Sequence, residues 1–549
     1  MSLKAPLFSV IPAETIRVAH AAFPKGNRYL QVRDTFGPLF FNPDFHHLFS
    51  HTGQPATDPA RLAVITILQF AERLSDVHAA DAVSSRIDWK YLLAFPLTDA
   101  GFDPSVLSEF RMRLVAGHAE HLLFDTLLTL FRDQRLLQPR GRQRSDSTHV
   151  LAAVRALNRL ECVATTMRHA LNSLALVVTA WLRDHSPADW VERHGPRVED
   201  YRLPTSKADR VALATTIEED GGALLEAIGA ADAPEWLRSI PAVHTLWMVW
   251  IQNYTWMTET TLRWRTNEEI PPSGRSMSSP YDLDAQYSKK RSITWVGYKV
   301  HLTESCDPAL PHLITNVETT SATTADDAIT PQIHQSLQDR DLLPAIHLVD
   351  TGYIDAELLV ESEHRPGLDL VSPVRGNYRR QTTEANGFAA TDFTINWEAQ
   401  QVTCPTGQTS SSWTPTIDSR NNQAIVIKFA RRDCQRCAQR PLCADGQRRT
   451  ITVRPRAHHD ALQQRRARQR TRAFATQYAQ RVGIEGTISQ TVRRCGIRRT
   501  RYIGLAKTRI QHLATASAIN LLRVAEWLEE TPQAKTRRSA FERLYTQAA

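Results

Sequence analysis

With 549 residues, 42% of them hydrophobic and 23% charged, the chain excludes a disordered protein and is too long for one ordinary core, so two to four domains are expected. The formal charge of +8 is unevenly spread: residues 428–509 carry 22 Lys or Arg against four Asp or Glu, whereas the remainder has ten more acids than bases. Cations gathered in one segment favour a nucleic-acid surface over a generally basic protein, with a solvated basic helix pair as the plainer reading. Seven cysteines are too few for a disulfide scaffold, which predicts a reducing, cytoplasmic setting.

The opening MSLKAPLFSVIPAETIRVAH has no continuous apolar core of signal-peptide type. Residues 1–140 read as a helical domain, a candidate for DNA-end binding. Apolar periodicity runs through PARLAVITILQFAERL and HLLFDTLLTLFRDQRLL, and Asp103-Pro104 opens FDPSVLSEFRMRL. That last helix suits either the second helix of a helix-turn-helix or a plain core position. Residues 141–152 (GRQRSDSTHVLA) read as a short strand. Residues 153–280 are a helical insertion and linker ending in TNEEIPPSGRSMSSP. Its longest apolar run, LNSLALVVTAWL at 171–182, falls short of the roughly 20 residues that span a bilayer and reads as a buried helix.

From 281 to 380 the period changes to strand, strand, helix, strand, helix, strand, a mixed α/β pattern. Residues 381–460 form a polar, β-rich insertion with FTINW and AIVIKFA. Residues 461–528 return to basic helices, and 529–549 read as a tail.

Three acids stand out. Asp146 lies in the first short strand and Asp350 ends the apolar strand HLVDTGY. Glu485 is the one carboxylate among thirteen Lys or Arg between Arg465 and Arg509. A carboxylate at the end of a central strand faces the crevice where α/β sheets place ligands. Carboxylates that converge there repel unless cations neutralise them, and oxygen donors suit Mg²⁺ or Mn²⁺. Two such ions can activate a nucleophile and stabilise the leaving oxygen of a phosphodiester. Taken singly, each acid has a duller reading: Asp146 as a turn cap, Asp350 as an Asx-turn residue, Glu485 as an arginine partner. Asp350-Thr351-Gly352 also suggests an aspartic protease, but the second triplet that chemistry needs is absent.

Tyr478, Arg481 and Glu485 share the spacing Y-(2)-R-(3)-E, and on a continuous helix would fall within about 60° of one another. With SDSTHV, SPYDLDAQYSKKRSITWVGYKVHLTE, VDTGY, GIEGTISQ and RYIGLAKT, they make residues 30–528 resemble the DDE transposases of bacterial insertion sequences, the group with a Y-(2)-R-(3)-E-(6)-K signature. Val492 stands where that signature has Lys, and Arg493 and Arg494 are the next cations. The resemblance implies an α/β, RNase H-like mixed-sheet core interrupted by insertions. It implies Asp146, Asp350 and Glu485 as ligands of catalytic Mg²⁺ or Mn²⁺, and Tyr478 and Arg481 as phosphate contacts. Arg493 and Arg494, and Lys299 in GYKVHLTE, are further candidate DNA contacts. The implied activity is metal-dependent strand cleavage at the terminal inverted repeats and strand transfer into target DNA, by a homodimer on DNA in the bacterial cytoplasm at the nucleoid. No membrane partner is expected, nor ATP, since no P-loop occurs. Alternatives are an inactive or repurposed DNA-binding descendant, or an RNase H-like nuclease that does not join strands.

Cys404, Cys434, Cys437 and Cys443 fall in the β-rich insertion as C-x29-C-x2-C-x5-C. The C-x2-C pair suits tetrahedral Zn²⁺ and predicts a structural Cys₄ zinc site, with unpaired thiols as the other reading.

Overall fold

The computed structural model describes residues 2–3, 10–257, 261–364, 367–376, 380–383, 387–418, 421–531 and 541. The described residues form thirteen strands, numbered in chain order. β1 is Arg142–Leu151, β2 Tyr254–Trp256, β3 Leu262–Trp264, β4 Gln286–Lys290, β5 Ile293–Ser305, β6 Ile314–Ser321, β7 Ile346–Leu348 and β8 Asp369–Val371. In the later insertion, β9 is Thr394–Asn396, β10 Gln401–Thr403, β11 Ser410–Ile417, β12 Gln423–Phe429 and β13 Thr450–Val453.

β6, β5 and β1 pair antiparallel, and β7 then β8 extend the sheet parallel to β1. This is the arrangement of an RNase H-like core. The N-terminal part of β5 pairs with β4 on the edge that β6 occupies further along, opposite β1. Gly297 is paired on both sides, with Gln286 of β4 and Leu151 of β1; its φ is 150° and a Cβ there would collide with the Val150 carbonyl. Only glycine permits that approach.

Helix Leu505–Leu528 covers the sheet and is buried along nearly its whole length. The edge strand β6 is satisfied rather than left bare. Asn520 accepts a hydrogen bond from the Ile314 amide and donates one to the Ile314 carbonyl, both at 2.7 Å. Helices Pro59–Glu72, Ser105–Ala116 and Leu122–Asp133 pack onto the same layer, and their side chains join those of the sheet in one apolar cluster. Asp58 caps the first of these through the Arg61 amide, with Pro59 in its first turn.

The helical insertion has an apolar cluster of its own. The run at 171–182 departs from the expected buried helix. Helix Arg159–Val177 stops at Val178, a second helix spans Thr179–His185, and Leu176 is 86% exposed. Three consecutive β-branched residues, Val177, Val178 and Thr179, sit at the break, where χ1 crowding disfavours helix. The β-rich insertion is built from a ribbon of β9 and β10 and a sheet β11–β12–β13 around Ile427, Phe429 and Ile451. Among the described residues no helix is long and apolar enough to cross a membrane.

Candidate active site

The parallel register pairs Arg144 with Leu348. Two residues further along stand Asp146, in the middle of β1, and Asp350, just past the end of β7, so the two acids are level on neighbouring chain segments. Each carboxylate accepts the amide that follows it, Ser147 for Asp146 and Thr351 for Asp350, both at 2.8 Å. Burial pushes the Asp146 carboxyl above the usual range, and Arg481 opposes that shift.

The stretch 472–495 is not one continuous helix. Tyr478 ends the helix Arg472–Ala479, Arg481 sits in a single 3₁₀ turn at Gln480–Val482, and Glu485 lies in the first turn of helix Gly483–Cys495. The bend still gathers the three side chains. Arg481 reaches Asp146 at 2.7 Å and Glu485 at 3.4 Å. Tyr478 stacks on Phe474 and packs beside Leu348 and Val371 at the strand ends. Its hydroxyl pKa is raised by burial and further by the nearby Asp350 and Asp146, against the effect of Arg481.

Helix Gly483–Cys495 explains why Glu485 faces out. Ile484, Thr487, Ile488, Thr491 and Cys495 are buried at helical spacing, which turns Glu485, Ser489 and Arg493 to the open side. The Glu485 side chain is 61% exposed. Its first-turn position suits a carboxylate, and Gly496 at φ 69° closes the helix.

A buried charge cluster holds this helix to the sheet. Glu304 on β5 is fully buried and accepts from Arg144 at 2.7 Å, from Arg523 at 2.9 Å and from the Thr487 hydroxyl. Arg144, two residues before Asp146, also donates to the Gln480 carbonyl at 2.6 Å. Gly483 leaves room for it: a Cβ there would collide with the Arg144 guanidinium. Sequence reasoning missed Glu304, Arg144 and Arg523. The one available signal was an acid closing an otherwise acid-free strand, residues 285–303.

The remaining candidate contacts fall differently. Arg493 is exposed and donates to Ser489, whereas Val492, at the family's Lys position, packs against the core. Arg494 pairs with Glu526 at 3.3 Å. Lys299 is committed internally. Its ammonium donates to the Thr324 carbonyl at 2.6 Å and to Asp326 at 2.9 Å, and its side chain is only 13% exposed. Burial would raise the Asp326 carboxyl pKa, but Lys299 more than offsets this and holds it below the usual range. Asp326 also accepts from Ser147.

The four cysteines Cys404, Cys434, Cys437 and Cys443 are unpaired and line one cavity of about 30 Å³. Cys404 Sγ accepts the Gln408 amide and Cys434 Sγ the Arg449 amide. Among the described residues, however, no three His, Cys, Asp or Glu side chains gather closely enough to hold an ion, so the expected zinc finds no support. The same is true of the three carboxylates as they stand, with Arg481 between two of them. Their chemistry nonetheless fits a hard cation: oxygen donors alone, with one carboxyl buried at a charge cost that a cation offsets.

Two family models match the chain. Residues 403–525 match a Transposase DDE domain and residues 17–113 a Transposase domain (DUF772). The first covers Tyr478, Arg481 and Glu485, and Asp146 and Asp350 lie outside both. No curated protein matches the chain.

Proposed function

We propose that the chain is a DDE transposase of insertion sequences, which cleaves DNA at the ends of its element and joins the freed 3′ ends to target DNA. The observation that carries this reading is the level placement of Asp146 and Asp350 on neighbouring chain segments, with Arg481 linking Asp146 to Glu485.

Asp146, Asp350 and Glu485 would hold Mg²⁺ or Mn²⁺, which supplies Lewis-acid activation of the attacking oxygen and stabilisation of the leaving one. Arg481 neutralises Asp146 and Glu485 in their absence, and is free to turn to a phosphate when the carboxylates take another cation. Tyr478, fixed by its stacking on Phe474, offers a hydroxyl at the edge of the site. The Glu304 cluster keeps the Glu485 helix in register with the strand that carries Asp146. Arg493 and its neighbours on the open face of that helix suit the phosphate backbone.

Incubation with an inverted-repeat duplex, a target plasmid and Mg²⁺ tests the reading. Joined products are expected. Cleavage without joining would instead identify a nuclease, and binding without cleavage a repurposed DNA-binding protein.

A further inference from the structure

We propose that the β4–β5 hairpin is a second phosphate-binding element, gripping the backbone of the DNA strand that approaches the carboxylates. The inference rests on the transposase reading and assigns a strand path to it. Residues 285–303 contain Lys289, Lys290, Arg291 and Lys299 and no acid. Lys299 is neutralised by Asp326. The other three are exposed at the hairpin tip, and no ion pair engages them among the described residues.

The tip is a two-residue turn, Arg291-Ser292, with Arg291 at φ 56°. Glycine or asparagine adopts that backbone at lower cost, so an arginine there is held in a conformation its side chain does not favour. Lys289, Lys290 and Trp295 line a groove of about 930 Å³, with the His149 ring 5.6 Å from that of Trp295. Gly352, two residues past Asp350, and Glu357 line the same groove. Asp327, Asp355 and Glu361 also line the groove, together with Arg375, Arg454 and Arg466. Lys290 lies within electrostatic reach of Asp146. Arg498, exposed and bonded to the Thr148 hydroxyl at 2.8 Å, adds a cation two residues along β1 from Asp146. A strand held by the hairpin is thereby delivered to the carboxylates.

The test is a salt titration of full-length protein on a fluorescent duplex of arbitrary sequence, because phosphate contacts carry no base information. Each lost phosphate contact makes the slope of log affinity against log salt shallower by about 0.9. The triple variant K289A/K290A/R291A is expected to lose about 2.7 from the slope, at roughly 0.9 for each of three contacts. R291G alone is expected to lose about 0.9 while melting no lower than the parent, since glycine relieves the left-handed backbone. It remains decisive should the triple variant fold poorly. Slopes equal to the parent's in variants that are folded would overturn this inference and leave the transposase reading standing. A parent that binds no duplex at any salt would overturn both.

Discussion

Arg481 Nη2 lies 2.7 Å from Asp146 Oδ2, across 335 residues of sequence. The contact ties the turn before the Glu485 helix to the central strand, and it places a cation where burial otherwise penalises a carboxylate. Burial lowers the Arg481 pKa, and Asp146, together with Tyr478, Asp350 and Glu485, more than restores it.

Removing that cation has a definite sign. The Asp146 carboxyl is already raised by burial, and Arg481 is the largest opposing influence. In Arg481→Gln the carboxyl rises further, so the ionised form is lost at higher pH. The acid limb of the pH profile for Mg²⁺-dependent cleavage is expected to move to higher pH than in the parent. An unmoved limb would show that Arg481 does not set the ionisation of the site.

Glu304 gives a stability prediction. It is fully buried between Arg144 and Arg523, themselves mostly buried. Glu304→Gln leaves two guanidiniums without their counter-charge, and breaking a buried pair costs about 3–5 kcal/mol. Urea unfolding is expected to show a loss of this order in the cooperative transition that includes the sheet. A loss below about 1 kcal/mol, the range of an exposed pair, would contradict the role given to this cluster.

Two buried histidines make stability sensitive to acid. Burial depresses both His301 and His512 from 6.5 to about 3. The unfolded chain therefore binds more protons below pH 6.5, and the contribution of each neutral ring is full above that value. It falls by about 1.4 kcal/mol per pH unit as pH drops toward about 3. His512→Gln, which retains a partner for the Thr319 hydroxyl, should flatten the parent's pH slope by that amount between pH 6 and 4.5. Identical slopes in urea unfolding would mean that His512 is accessible to protons in the folded state.

Much of the frame was legible from local pattern. The apolar strand before Asp350 and the alternation of β5 follow from residues within a few positions of one another, and a mixed α/β pattern follows from their order, whereas the RNase H-like sheet was implied by the family resemblance. Tyr478, Arg481 and Glu485 were found by spacing, yet the 3₁₀ turn between them was not, because the demand comes from Arg144 reaching the Gln480 carbonyl from another strand. Lys299 illustrates the limit most clearly. Its charge was visible, but Asp326, the acid that consumes it, comes from a helix 27 residues away. The break at Val178 was hidden because periodicity scores apolar side chains without their χ1 cost.

The most direct test is cleavage of an element-end duplex in Mg²⁺ by Asp146→Asn, Asp350→Asn and Glu485→Gln, each beside a binding measurement on the same duplex. A metal's stabilisation of transition-state charge is worth several kcal/mol, so each variant should lose on the order of a thousandfold or more in rate while retaining binding. Parental cleavage by any one of the three would remove that carboxylate from the site and contradict a shared catalytic trio.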